Sequence, residues 1–209
     1  MALALIALLK LASEIAEGET QAFDIAVLEA MRHSAHPGTA LTAIMLGITR
    51  LGDGMTLTIL VLLVAGFLFT ARKHGMAALL ILATTAGTMT VQLLKRLIDR
   101  PRPDVVEHWA DFAHASFPSG HAANSAIIYL TLAVLIARSV KSRALRLYVV
   151  AAAALLTLLI GMSRLYLGVH WPTDVLAGWA FGAGWAIFCS SVALWLQSRH
   201  RIEPPSPPT

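Results

Sequence analysis

Long apolar stretches alternate with short polar ones along this chain. Five runs, at about 53–71, 76–97, 120–138, 145–165 and 173–197, each approach the length of roughly 20 residues that a helix needs to cross a bilayer. The pattern predicts an all-α fold, a polytopic membrane helix bundle of about six transmembrane helices. The sixth would be residues 1–16, MALALIALLKLASEIA, short for a span and interrupted by Lys10, with neither the leading charge nor the small-residue cleavage site of a signal peptide. From Gly18 to Arg50 the chain turns polar and amphipathic around a Pro37-Gly38 break, and FDIAVLEAMR predicts an interfacial helix. Residues 1–202 are expected to form one integral-membrane domain, and residues 203–209, EPPSPPT, a disordered or extended tail.

Composition agrees with that pattern. Of 209 residues, 57% are hydrophobic and 13% charged, and the mean hydropathy is +0.70, values that a soluble domain rarely shows. The formal charge of +4 reads as short cytoplasmic loops plus an anion site, not as a nucleic-acid surface, which would gather its charge on a soluble face. Cys189 is the sole cysteine, so no intramolecular disulfide forms.

Span parity puts the loop at about 98–118 and the loop at about 165–172 on one side of the membrane. The connections at Arg72-Lys73 and from Arg138 to Arg146, with the tail carrying Arg199 and Arg201, fall on the other. Short Lys/Arg-rich connections are expected in the cytoplasm, which turns the first pair of loops toward the periplasm or exterior. Arg32, Arg50, Lys95, Arg96, Arg100, Arg102 and Arg164 run against this bias.

Three stretches carry chemistry. In SRLYLGVHWPTD, residues 163–174, Pro172 suits the first position of a helix, so Asp174 stands where a capping-box side chain reaches back. There it can hold one ring nitrogen of His170 and leave the other free as a nucleophile or base; Arg164 adds a planar cation suited to phosphate oxygens. The plain alternative is a helix cap beside a decorated loop. KRLIDRPRP, residues 95–103, sets four cations against hydrocarbon, where they either snorkel to headgroups or serve an anion. Two prolines stiffen it, so that Lys95 and Arg102 can clamp one phosphoryl group. In SFPSGH, residues 116–121, a helix start offers unpaired N–H groups. Ser119 adds a hydroxyl, Gly120 permits close approach of an oxyanion, and His121 is placed to protonate a departing oxygen.

The three stretches together resemble the type 2 phosphatidic acid phosphatase superfamily, with its K-x6-RP, PSGH and SR-x5-H-x3-D signature. Lys95 with Arg102-Pro103, Pro118-Ser119-Gly120-His121, and Ser163-Arg164 with His170 and Asp174 match every fixed position in order. The resemblance implies a phosphatase that needs no metal or other cofactor: His170 attacks phosphorus, Asp174 orients it, and His121 protonates the leaving oxygen. Lys95, Arg102, Ser119, Gly120 and Arg164 would hold the phosphoryl oxygens. The same signature occurs in soluble vanadium haloperoxidases, which the membrane spans argue against.

The expected substrate is a lipid phosphate, with the bilayer as partner and no nucleic acid: an isoprenyl diphosphate such as undecaprenyl diphosphate, or a glycerolipid phosphate such as phosphatidic acid or phosphatidylglycerophosphate. A lipid-phosphate transporter or a phosphotransferase is the alternative, and oligomeric state stays open. Glu107, His108, Trp109, Asp111, Phe112 and His114 are candidates for headgroup selection, with His108 and His114 more simply solvated than metal-bound. Trp171 is a candidate for substrate contact. Asp53 reads as a helix cap, and Gly178 and Gly182, a GxxxG pair, read as close packing inside the bundle or a dimer face.

Overall fold

The computed structural model describes residues 6, 10–15, 17–33, 35–110 and 115–203. Within them the chain is helical, in the order α1 (Gln21–Arg32), α2 (Ala40–Arg50), α3 (Gly54–Thr70), α4 (His74–Ile98), α5 (Gly120–Ala137), α6 (Arg143–Tyr166) and α7 (Pro172–Ser198). Four of these, α4 to α7, are long and apolar enough to cross a membrane, and α2 and α3 make a fifth candidate span bent by 47°. Most of the expected first span, residues 1–16, lies outside the described residues, as do 204–209 of the expected tail. Glu203, where that tail begins, accepts the backbone N–H groups of Gly75 at 3.0 Å and Met76 at 3.2 Å. Those donors at the start of α4 hold its carboxyl below the usual range.

The helices turn large apolar side chains outward, among them Leu63, Phe67, Leu82, Met89, Leu147 and Ile187. This is the surface a bilayer solvates. The interior is lined instead by small residues that let helices approach. A Cβ at Gly182 would stand 2.5 Å from Ala126 Cβ and 2.6 Å from Ala123 O, and one at Gly178 would stand 2.8 Å from Ser119 O. The GxxxG pair therefore packs α7 onto α5 within the chain. Trp179 fills the gap at Gly161 on α6 and donates to Thr157 O at 3.1 Å. Around these contacts Leu57, Val61, Leu80, Val91, Ile127 and Phe181 close the core.

Two departures from regular helix interrupt the bundle. The break between α2 and α3 follows Thr49 in the last turn of α2 and carries Asp53, and Tyr129 of α5 donates to Leu51 O there at 2.8 Å. A π-turn, Ala126–Leu130, interrupts α5 just beyond the start that bears His121. Helix α1 does more than lie at an interface: Asp24 on it is fully buried.

Candidate active site

The start of α7 explains how His170 is held. Pro172 occupies the first turn and Asp174 its third position, where Oδ2 accepts the Trp171 N–H at 2.9 Å. The same oxygen faces His170 Nδ1 at 3.5 Å, so the helix-cap role and the imidazole-holding role coincide in one carboxylate. That distance is long for a hydrogen bond. Ser116 shortens the path: its hydroxyl donates to Asp174 Oδ2, and its oxygen lies 3.3 Å from His170 Nδ1. Nδ1 thus carries the hydrogen and Nε2 the lone pair, with Arg102 Nη1 3.4 Å from Nε2. Burial drives the His170 pKa down to about 3 against the opposing pull of Asp174, which keeps the ring neutral.

Arg102 and Arg164 both act on this ring through their charge. Arg102 also donates to Val169 O, and burial lowers its pKa while the charge of Asp174 raises it. Arg164, buried at the end of α6, donates through Nη1 to Thr49 Oγ1 at 2.9 Å, while its Nε has no partner. Lys95, buried near the end of α4, reaches Ala115 O at 2.7 Å, and its Cε would lie 3.5 Å from a Cβ at Gly120. The charges of Lys95, Arg102 and Arg164 act on one another. Such mutual repulsion is costly without an anion among them.

The start of α5 is partly spent. The Ser119 N–H goes to Asp174 O at 2.9 Å, tying the two helix starts together, while the next amides keep the free N–H groups of a helix N-terminus. Ser119 Oγ is buried without a partner. Asp53 is an N-cap by position but makes no side-chain cap bond; its Oδ1 lies 2.8 Å from His121 Nε2. An open cleft of 520 Å³ is lined by Thr49, Arg50, Asp53, His121, Arg164 and Trp109 among others.

Several expectations about neighbours change. Trp171 donates to Pro101 O at 3.0 Å and packs near Arg100, 5.4 Å from ring centroid to guanidinium, which supports the backbone of the loop after α4. The ring of His108 is bonded to Pro103 O. Asp111, Phe112 and His114 lie outside the described residues, and among the described residues no group of three or more His, Cys, Asp or Glu could hold a metal. Arg32 lies 3.3 Å from the Trp109 ring centroid and donates to Glu107 O at 2.8 Å and Tyr166 O at 3.1 Å, which fastens the loop over the cleft to α6.

Sequence reasoning missed Ser116, Arg100 and Asp24. Arg100 donates to Asp174 Oδ1 and to Asp24 Oδ2, both at 2.7 Å. Its only sequence signal was a cation inside the K-x6-RP stretch; Asp24, a lone acid near the start of an amphipathic helix, gave none.

The chain is similar to known membrane phosphatases. The chain is 33% identical over 177 residues to phosphatidylglycerophosphatase B of Bacillus subtilis (strain 168), covering 82% of this chain and 84% of that protein. It is 32% identical over 139 residues to a lipid A 1-phosphatase of Rhizobium johnstonii, covering 59% and 53% of the two chains. The crystal structure of a transmembrane PAP2-type phosphatidylglycerolphosphate phosphatase from Bacillus subtilis superposes with a TM-score of 0.84 at 29% identity, over 93% of this chain and 96% of that one. Residues 76–198, which hold all three signature stretches, match the model of the PAP2 superfamily, and with the bundle and the convergent cleft they place this chain in that superfamily.

Proposed function

We propose that this protein is an integral-membrane phosphatase that removes a terminal phosphate from a lipid phosphate or diphosphate through a phosphohistidine on His170. One observation carries this reading: a buried neutral imidazole has its hydrogen-bearing nitrogen fixed by Ser116 and Asp174 and its lone pair turned toward Arg102.

In the first step the Nε2 lone pair attacks phosphorus, a P–N bond forms, and the P–O bond to the lipid breaks in line. His121 gives the leaving oxygen its proton. In the second step His121 takes a proton from water as the water oxygen attacks phosphorus; the P–N bond breaks, phosphate departs and His170 is restored. Dividing the displacement in this way replaces one difficult step with two easier ones. Arg102, Arg164, Lys95, the Ser119 hydroxyl and the free amides from Gly120 onward hold the equatorial oxygens, where charge develops. An anion there also satisfies Ser119 Oγ and Arg164 Nε, which the fold leaves buried and unpaired.

A phosphate on a lipid suits a cleft at the ends of membrane helices, because the headgroup enters while the chain remains in the bilayer. Relatives named for a glycerolipid phosphate and for lipid A 1-phosphate support a lipid substrate; an isoprenyl diphosphate fits the same chemistry. Five of the seven cations that oppose the charge bias of the loops make contacts at or near the site: Lys95, Arg102, Arg164, Arg32 and Arg100. Setting them aside leaves the basic connections at Arg72-Lys73 and Arg138–Arg146 as the cytoplasmic ones and turns the cleft to the periplasm or exterior of a bacterial inner membrane.

Purified protein in detergent with EDTA is expected to release inorganic phosphate from at least one of phosphatidylglycerophosphate, phosphatidic acid and undecaprenyl diphosphate. A ³²P label on the wild type that is lost in acid and retained in alkali, and is absent in His170→Ala, identifies the phosphohistidine; full turnover by His170→Ala excludes it. A cysteine introduced at Glu107 is expected to react with a membrane-impermeant maleimide in intact cells, and protection there reverses the orientation.

A further inference from the structure

Behind Asp174, on the side away from His170, two more buried charged groups continue the chain of contacts. Arg100 Nη1 donates to Asp174 Oδ1 and Nη2 to Asp24 Oδ2, each at 2.7 Å. Asp24 also accepts the Thr173 N–H at 2.9 Å and the Thr173 hydroxyl at 2.7 Å. Both carboxylates are 0% exposed. A buried ion network is an expensive way to make a purely mechanical tie, since apolar residues of similar volume often do as well or better. Charge at this place therefore calls for a reason beyond packing α1 against α7.

The formal charges supply one. Arg100 alone on Asp174 would make a neutral pair, and the carboxylate's field on the imidazole would be largely cancelled. With Asp24 on its second arm, one positive charge is shared between two negative ones, so a net negative charge remains behind the ring. The geometry is equally specific, because with Oδ1 taken by Arg100, Oδ2 is left to face Ser116 and His170. We propose that Asp24 and Arg100 are positioning residues for phosphoryl transfer: Arg100 sets the rotation of Asp174, and Asp24 holds Arg100 in that pose while offsetting its charge. Helix α1, which lies outside the family match over residues 76–198, is thereby part of the catalytic unit. The inference rests on His170 as nucleophile.

The other charged groups that face the imidazole are Arg102 from the loop after α4 and Arg164 from α6, and Lys95 of α4 and His121 of α5 interact with Arg164 in turn. All are unchanged in the test, so a shift in pH dependence reports on the network behind Asp174.

The test follows phosphate release from phosphatidylglycerophosphate and phosphatidic acid in detergent micelles across pH, for wild type, D24N, R100Q and D24N/R100Q. D24N is expected to lose ~10- to 100-fold in kcat, as a slightly misplaced reacting group does, with KM within about twofold because no substrate contact is touched. The acid limb of kcat/KM, which reports the free enzyme, should move to lower pH in D24N, where one negative charge fewer weakens the ring's hold on a proton. In R100Q it should move to higher pH. The double variant should return it toward wild type and lose less than the product of the two single losses. Wild-type kcat and acid limb in D24N overturn the proposal, as do equal losses with no movement of the limb in either single variant, which would mark a mechanical clamp. If D24N does not yield monodisperse protein, the direction of the R100Q shift decides. A wild type that releases phosphate from no lipid phosphate overturns the functional reading itself, and this inference with it.

Discussion

His121 Nε2 and Asp53 Oδ1 are 2.8 Å apart across the mouth of the cleft, joining the start of α5 to the break between α2 and α3. A carboxylate at this distance fixes the ring and decides which nitrogen carries hydrogen. Asp53→Ala should reduce kcat about tenfold or more, the range of general acid–base contributions being ~10²–10⁴. KM should not rise, since the change removes a negative charge from a site for an anion. Initial-rate kinetics in mixed micelles checks both, and a raised KM with unchanged kcat would mean that Asp53 contacts the substrate instead.

Ser116 is the shortest hydrogen-bonded path between His170 and Asp174. Ser116→Ala leaves the long 3.5 Å contact alone to orient the ring, and kcat should drop on the order of tenfold, as loss of one orienting hydrogen bond worth about 1–1.5 kcal/mol implies. Ser116→Thr, which keeps the hydroxyl, should recover part of the loss. Equal activity in wild type and Ser116→Ala would show direct His170–Asp174 contact in the working enzyme.

Gly182 meets α5 too closely for any side chain. Its added Cβ would lie 2.5 Å from Ala126 Cβ and 2.6 Å from Ala123 O, neither of which can swing aside. Gly182→Ala should destabilise by about 1–3 kcal/mol, the usual cost of overpacking, visible as a lower midpoint in detergent thermal unfolding. Activity should fall as well, because α5 carries His121 and α7 carries Asp174. An unchanged midpoint would mean that the two helices separate without cost.

Acid should weaken the fold through His170. Its native pKa of about 3 lies below the unfolded value near 6.5, so between those limits the unfolded chain binds more protons and stability falls as pH falls. The loss is at most about 1.4 kcal/mol per pH unit for this group. Chemical denaturation of wild type and His170→Gln between pH 7 and pH 4 should show a shallower acid loss in the variant. Parallel curves would assign the acid sensitivity to the carboxylates.

Apolar run length made the bundle readable in advance: the five runs expected from hydropathy correspond to α3 through α7 within a few residues. Local chemistry was readable too, because a proline, an acid three positions into a helix, and a histidine before it interact over one turn. Asp174 capping Trp171 while facing His170 is that local geometry realised. Long-range pairings were not. Asp53 satisfied a sequence rule for capping, yet its side chain bonds the histidine that starts α5, a choice made only when the α2–α3 bend meets α5.

The sequence by itself determined that helices would span a membrane and that three cationic, histidine-bearing stretches would stand at their ends, since span length and helix-end chemistry depend on neighbours along the chain. Only the tertiary structure decided which buried charges face one another: that Arg100 turns from the cleft to join Asp174 to Asp24, that Ser116 stands between His170 and Asp174, and that Arg164 leans on Thr49. The physical reason is that a charged side chain inside a low-dielectric bundle takes the partner that packing brings within about 3 Å, and packing joins residues with no regard for their separation in the sequence.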